Sequence, residues 1–225
     1  MRLNSVKRRP SVSAKAGTVA HQFDDAQQQR EAAELGMWAF LLTELMLFGG
    51  FFAGYTAYRY SYPEAFIEGS SHLDVFLGGI NTAVLICSSL SMALAVREAQ
   101  IGRRKGIIIN LILTIIFGGV FLGIKAVEYS HKIHEHLVPG PNFQLDVVGS
   151  NNVQLFFSFY FAMTGTHALH MIIGIGLMIW LIIKARSSAF SPEYYAPVEM
   201  TGLYWHFVDI VWIFLYPLLY LLGRH

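Results

Sequence analysis

Residues 75–96, 106–124 and 147–183 of this chain contain no Asp, Glu, Lys or Arg. A helical bilayer crossing takes about 20 predominantly apolar residues, and each of the three runs is about that long or longer. Lipid offers the backbone no hydrogen bonds, so apolar runs of this length satisfy their own N–H and C=O groups as helices. Two further spans are interrupted by polar groups, one by Glu44 and the last by His206 and Asp209. With their flanks the five spans fall at about 35–58, 73–96, 106–129, 153–183 and 198–222. The fourth run exceeds one crossing, but the polar stretch Gly149-Ser150-Asn151-Asn152 suits a loop or helix cap, which leaves one tilted helix. The pattern specifies an all-α, polytopic membrane bundle of five transmembrane helices over residues 35–222, behind a polar tail over residues 1–34.

Hydrophobic residues make up 54% of the chain and charged residues only 14%, gathered between the apolar runs, which excludes a soluble core. The tail holds Arg2, Lys7, Arg8, Arg9, Lys15 and Arg30, with no apolar block behind the basic cluster as a secretory signal requires. It reads as a topology signal or as a contact for anionic lipid or a partner subunit. Cys87 lies inside a span and permits no internal disulfide. With five spans, twelve basic residues fall on the side of the N-terminus and four, Arg59, Lys125, Lys132 and Arg224, on the other. Basic residues concentrate on the cytoplasmic side, so the N-terminus is expected in the cytoplasm and the C-terminus outside a bacterial-type inner membrane. The connections 60–73 and 131–152 then become outer loops. Gly50 with Gly54, Gly119 with Gly123, and Gly174 with Gly176 are candidates for close helix approach.

Three spans carry polar pairs three residues apart, which share a helix face: Lys125 with Glu128, His167 with His170, and His206 with Asp209. A charged group at membrane depth costs roughly 2.5 to 3.5 kcal/mol even on the gentler scales, so each needs a partner. Glu44 stands near mid-bilayer with Phe48 and Phe52 at i+4 and i+8, an apolar setting that calls for a proton or a cation from another helix. Spacing alone leaves four uses open. The histidine and aspartate pairs resemble the i, i+3 metal ligands of helical bundles; two histidines on separate helices suit haem; Glu44, Asp209 and the histidines suit proton movement; or the pairs hydrogen-bond between helices and hold lipid and water. No cysteine cluster, phosphate-binding glycine loop or nucleophile motif is present. Nothing points to nucleic acid.

Five segments in order resemble a known family. Leu35-Gly36-Met37-Trp38 leads into Thr43-Glu44-Leu45-Met46-Leu47-Phe48; Asn81-Thr82 runs through to Ser88-Ser89; then come Lys125-Ala126-Val127-Glu128-Tyr129, Thr164-Gly165-Thr166-His167-Ala168-Leu169-His170, and Tyr204-Trp205-His206-Phe207-Val208-Asp209-Ile210-Val211-Trp212. From about His21 onward the chain is similar to subunit III of the haem-copper oxidases in its short five-helix form. The resemblance implies a non-catalytic subunit of a respiratory terminal oxidase, with haem and copper in partner subunits and no metal or catalytic residue here. It implies direct packing on subunit I, assembly with subunit II and small subunits, phospholipid within the bundle, and support for proton uptake and sustained oxygen reduction. Glu44 would be the family's buried carboxylate on the side of subunit I, and Lys125, Glu128, His167, His170, His206 and Asp209 would join helices and line lipid sites. The two N-terminal helices of longer members are replaced by the tail, and another subunit is expected to complete the lipid cleft. The segment from Ala196 to Tyr216 looks closer to cytochrome c oxidases than to quinol oxidases. The alternatives are a quinol oxidase or nitric-oxide-reductase-associated homologue, or an independent proton-coupled or haem-binding membrane protein.

Overall fold

A computed structural model describes residues 22–141, 143, 150–187, 190–192 and 194–223; the basic cluster from Arg2 to Lys15, Gly149 and Arg224 lie outside the described residues. The described chain forms six helices: α1 (Ala26–Ser61), α2 (Pro63–Ser71), α3 (Val75–Gln100), α4 (Arg104–His134), α5 (Ser150–Arg186) and α6 (Ala196–Tyr220). Five of them, all but α2, are long and apolar enough to cross a membrane, as expected. The fourth run is a single helix of 37 residues beginning at Ser150.

The start of α1 and the 60–73 connection differ most from the sequence reading. α1 begins at Ala26, well before the apolar run, because Asp25 caps it by accepting the Gln28 N–H at 2.8 Å and the polar residues that follow continue the helix. The expected outer loop 60–73 contains the nine-residue helix α2. Pro63 at its first turn fixes a helical φ, and Phe66 is buried edge-on against Tyr55 and Phe156. A short helix of this kind carries no membrane-length run, so hydropathy alone reads it as loop.

α3 and α4 form an antiparallel hairpin, and α6 packs against α3 and α5. The hairpin turns on Gly102 (φ +73°), where the Gly102 N–H donates to the Ala99 carbonyl and the Arg103 N–H to the Glu98 carbonyl, the glycine-capped ending of a helix. At the other end, α6 finishes with carbonyls that have no helical partner. The Tyr55 hydroxyl donates to the Leu218 carbonyl at 2.7 Å and the Ser70 hydroxyl to the Leu219 carbonyl at 2.8 Å, which ties α1 and α2 to the end of α6.

Trp205 of α6 is fully buried at the centre of the bundle. Its indole N–H donates to Ser88 Oγ on α3 at 2.7 Å. A Cβ at Gly118 of α4 would sit 3.0 Å from the indole, and one at Gly174 of α5 2.7 Å, so both backbones need glycine to reach it. Gly174 was singled out on sequence; Gly50, Gly119, Gly123 and Gly176 instead have open space where a Cβ would go, and Gly54 meets only Phe159. Pattern alone therefore picked mostly glycines that face away from the bundle, because the close approach is set by one large aromatic residue and not by glycine against glycine.

Candidate functional site

Three polar clusters lie within the bundle. In the first, Glu44 of α1 places Oε2 2.9 Å from Nε2 of His170 on α5. Nδ1 of His170 is 2.8 Å from the Thr166 carbonyl, which only accepts, so Nδ1 carries a hydrogen. A hydrogen bond between Nε2 and the carboxylate then requires one proton, which either atom is able to carry. The Tyr204 hydroxyl donates to the His170 carbonyl at 2.9 Å, and the buried Phe48 ring stands 5.5 Å from the imidazole. The pair borders a cleft of about 380 Å³ between α1, α5 and α6, with Met37, Phe40, Ile173 and Leu177 among its walls. Glu44 thus has the cation-capable partner its setting called for, and Phe48 lies beside that partner.

The second cluster joins α4, α5 and α6. Lys125 Nζ donates to Glu128 Oε2 at 2.9 Å, to the Tyr160 hydroxyl at 3.1 Å and to the Tyr220 hydroxyl at 2.7 Å. Both tyrosines in turn donate to Glu128 Oε1, at 2.8 and 2.6 Å. The ammonium uses all three donors and the carboxylate accepts on both oxygens, so this buried ion pair is closed on itself. The Tyr160 and Trp212 rings lie 4.9 and 5.3 Å from Nζ and add cation–π attraction. The sequence reading found the ion pair and missed Tyr160 of α5 and Tyr220 at the end of α6, whose hydroxyls are the signal: a buried tyrosine must find a polar partner.

The third cluster gathers His206 and Asp209 of α6 around Ser89 of α3, whereas the His167–His170 dyad separates. His170 turns to α1, while His167, one turn earlier, is enclosed between Phe121 and Trp212 with ring centroids at 5.3 and 5.2 Å. Neither ring nitrogen of His167 has a hydrogen-bond partner among the described residues. His206 Nδ1 is 2.7 Å from Ser89 Oγ on α3. Asp209 is 3% exposed, both its carboxylate oxygens are closed off, and the Ser89 hydroxyl is its polar neighbour. Asn81 of α3, also fully buried, has both amide atoms without a partner among the described residues. Among the described residues no three His, Cys, Asp or Glu side chains converge as metal ligands.

Five transmembrane helices with this order of polar groups have counterparts among known proteins. A family model described as cytochrome c oxidase subunit III matches residues 14–224. The chain belongs to the subunit III family of the haem-copper oxidases. It is 33% identical to the cytochrome c oxidase subunit 3 of Thermostichus vulcanus, over 92% of this chain and 98% of the relative. With the quinol oxidase subunit 3 of Bacillus spizizenii it shares 32% identity, over 84% of this chain and 86% of the relative. Identity to the cytochrome bo(3) ubiquinol oxidase subunit 3 of Pseudomonas putida is 30%, over 84% and 85%. Members of this family are subunits of multi-subunit respiratory oxidases, and this subunit III is a multi-pass membrane protein with partner subunits. Relatives named for cytochrome c and for quinol match this chain to a similar degree.

Proposed function

We propose that this subunit III packs directly on catalytic subunit I, binds phospholipid along the bundle, and supports proton uptake and sustained oxygen reduction without redox centres of its own. Haem and copper then reside in partner subunits. The observation that carries the proposal is the Glu44–His170 pair at the edge of an apolar, laterally open cleft. A proton moves between Nε2 and Oε2 there at constant net charge, and the cleft walls suit an acyl chain. Subunit II sets whether the electrons come from cytochrome c or quinol. The N-terminus lies in the cytoplasm, where Arg30 of α1 contacts Glu199 of α6 at 3.2 Å.

The test is purification of the native complex in mild detergent, from cells carrying wild-type or Glu44→Gln chain. Wild-type chain is expected to elute with subunit I and bound phospholipid. The variant keeps its shape and is expected to assemble fully, while activity decays faster over repeated turnovers. A wild-type chain that elutes free of any haem-bearing subunit would overturn the proposal.

A further inference from the structure

Ser89 of α3 stands between the two polar residues of α6. Its Oγ is 2.7 Å from Nδ1 of His206 and is the hydrogen-bonding neighbour of the Asp209 carboxyl. Asp209 is the fourteenth of the 25 residues of α6. At 1.5 Å per residue it lies about 20 Å from one end of the helix and about 17 Å from the other, near the bilayer midplane. Both carboxylate oxygens are closed off, whereas His206 borders a notch of about 340 Å³ between α3 and α6. The histidine is therefore the reachable end of the set and the aspartate its enclosed end.

A serine hydroxyl has one hydrogen to give and lone pairs with which to receive another. Between two partners it imposes a direction. When Asp209 is ionised, the hydroxyl donates to the carboxylate, and Nδ1 must carry a hydrogen to reach Oγ. When Asp209 is protonated, its own hydrogen goes to Oγ, the hydroxyl turns to His206, and Nδ1 must be bare. A neutral imidazole then holds its hydrogen on Nε2. The charge of Asp209 and the tautomer of His206 are thus tied together by one hydroxyl.

The other titratable groups of the packed elements face elsewhere. On α5, His170 meets Glu44 of α1, and His167 lies between Phe121 and Trp212. Lys125 of α4 is bonded to Glu128, and His72 beside α2 stands 3.4 Å from Glu68. Tyr55, Tyr204 and Tyr216 donate to the carbonyls of Leu218, His170 and Val75. Arg97 and Glu199 stand in the end turns of α3 and α6. Cys87 is exposed, two residues from Ser89 and so on the opposite side of α3.

We infer that Ser89, His206 and Asp209 form a proton relay, in which His206 is the port and Asp209 the store. Nε2 accepts a proton from a water that enters the notch, the Nδ1 hydrogen passes to Ser89 Oγ, and Ser89 gives its own hydrogen to Asp209. One N–H bond forms as another breaks, the serine keeps one hydrogen throughout, and the carboxylate becomes a carboxylic acid. His206 ends neutral, as it began, and the reverse sequence returns the proton. The use of the relay rests on the proposed support of proton uptake, to which it adds a store apart from the Glu44–His170 pair.

The experiment is solid-state NMR on the full chain in phospholipid bilayers, with ¹³C in the aspartate carboxyls and ¹⁵N in the histidine rings. The chain has five aspartates and nine histidines, so the two signals are assigned by their loss in Asp209→Asn and His206→Asn. As the pH is lowered, Asp209 is expected to pass from carboxylate to carboxylic acid, and in the same step the His206 hydrogen moves from Nδ1 to Nε2. In Ser89→Ala the tautomer is expected to stay fixed while Asp209 titrates, and proton exchange between Asp209 and water slows by about a hundredfold. Ser89→Thr keeps the hydroxyl and is expected to restore both. An Asp209 that keeps one charge state over the whole range in which the chain stays folded overturns the relay. So does a His206 that keeps one tautomer or becomes imidazolium as Asp209 titrates, or a coupled change that survives Ser89→Ala. None of these results alters co-purification with subunit I or the turnover of the Glu44→Gln complex, which test the proposed function separately.

Discussion

Glu44 of α1 and His170 of α5 face each other with Oε2 and Nε2 2.9 Å apart, the second ring nitrogen being committed to the Thr166 carbonyl. Replacing His170 by Ala removes the partner and leaves the carboxyl facing an apolar cleft. The loss is expected to cost about 1–3 kcal/mol, as for a buried polar group left unmade. Replacing Glu44 by Gln keeps a hydrogen bond to Nε2 and is expected to cost less. Thermal unfolding of the detergent-purified chain ranks the two; equal stability of His170→Ala and wild type would show that the pair does not fasten α1.

The Lys125–Glu128 network behaves differently because it is closed. Either Glu128→Gln or Lys125→Met leaves an uncompensated buried charge, with an expected loss of about 3–5 kcal/mol. The double variant Lys125→Met with Glu128→Gln removes both charges and is expected to be more stable than either single one. A double-mutant cycle on unfolding in detergent measures the coupling, and strict additivity would mean that the two charges of α4 do not stabilise one another.

Helix number and the polar residues of interest were legible in the sequence, because charge-free runs and membrane-buried charges each leave a local signature. Which groups meet was not. Spacing puts His167 and His170 on one face, yet a helix face spans neighbours on both sides, and packing turned His170 to Glu44 and His167 to Trp212. Tyr160 and Tyr220 complete the Lys125 site from other helices, 35 and 95 residues away, a distance that no local pattern reports. The helix α2 and Gly118 escaped for the same reason: Phe66 and Trp205 are placed by what they bury against, and that is known only once the helices are assembled.

Trp205 makes its own test. Gly174→Ala brings a methyl group within 2.7 Å of the indole and is expected to destabilise the bundle by about 1–3 kcal/mol through overpacking. The open positions Gly50 and Gly119 accept alanine with little change. Trypsin resistance of the membrane-embedded chain separates the two classes, and equal resistance of all three variants would contradict the packing described.

Orientation is checked with reporter fusions. The split of twelve basic residues against four predicts cytoplasmic reporters after Arg30 and Ile101 and an external one after Gly140. An external reporter after Arg30 would reverse the scheme and place the Arg30–Glu199 contact outside the cell.

The hydroxyls of Tyr55 and Ser70 end on carbonyls in the last turn of α6, at Leu218 and Leu219. Synthesis runs in the other direction. The ribosome delivers α1 and α2 first, and their anchoring acceptors emerge last, after about 150 further residues. Until then the hairpin of α3 and α4 can form on its own, while α1 waits in the membrane with its attachment to α6 unmade. The last turn of α6 is therefore the piece that closes α1 and α2 onto the bundle, and a chain truncated before Leu218 loses both acceptors.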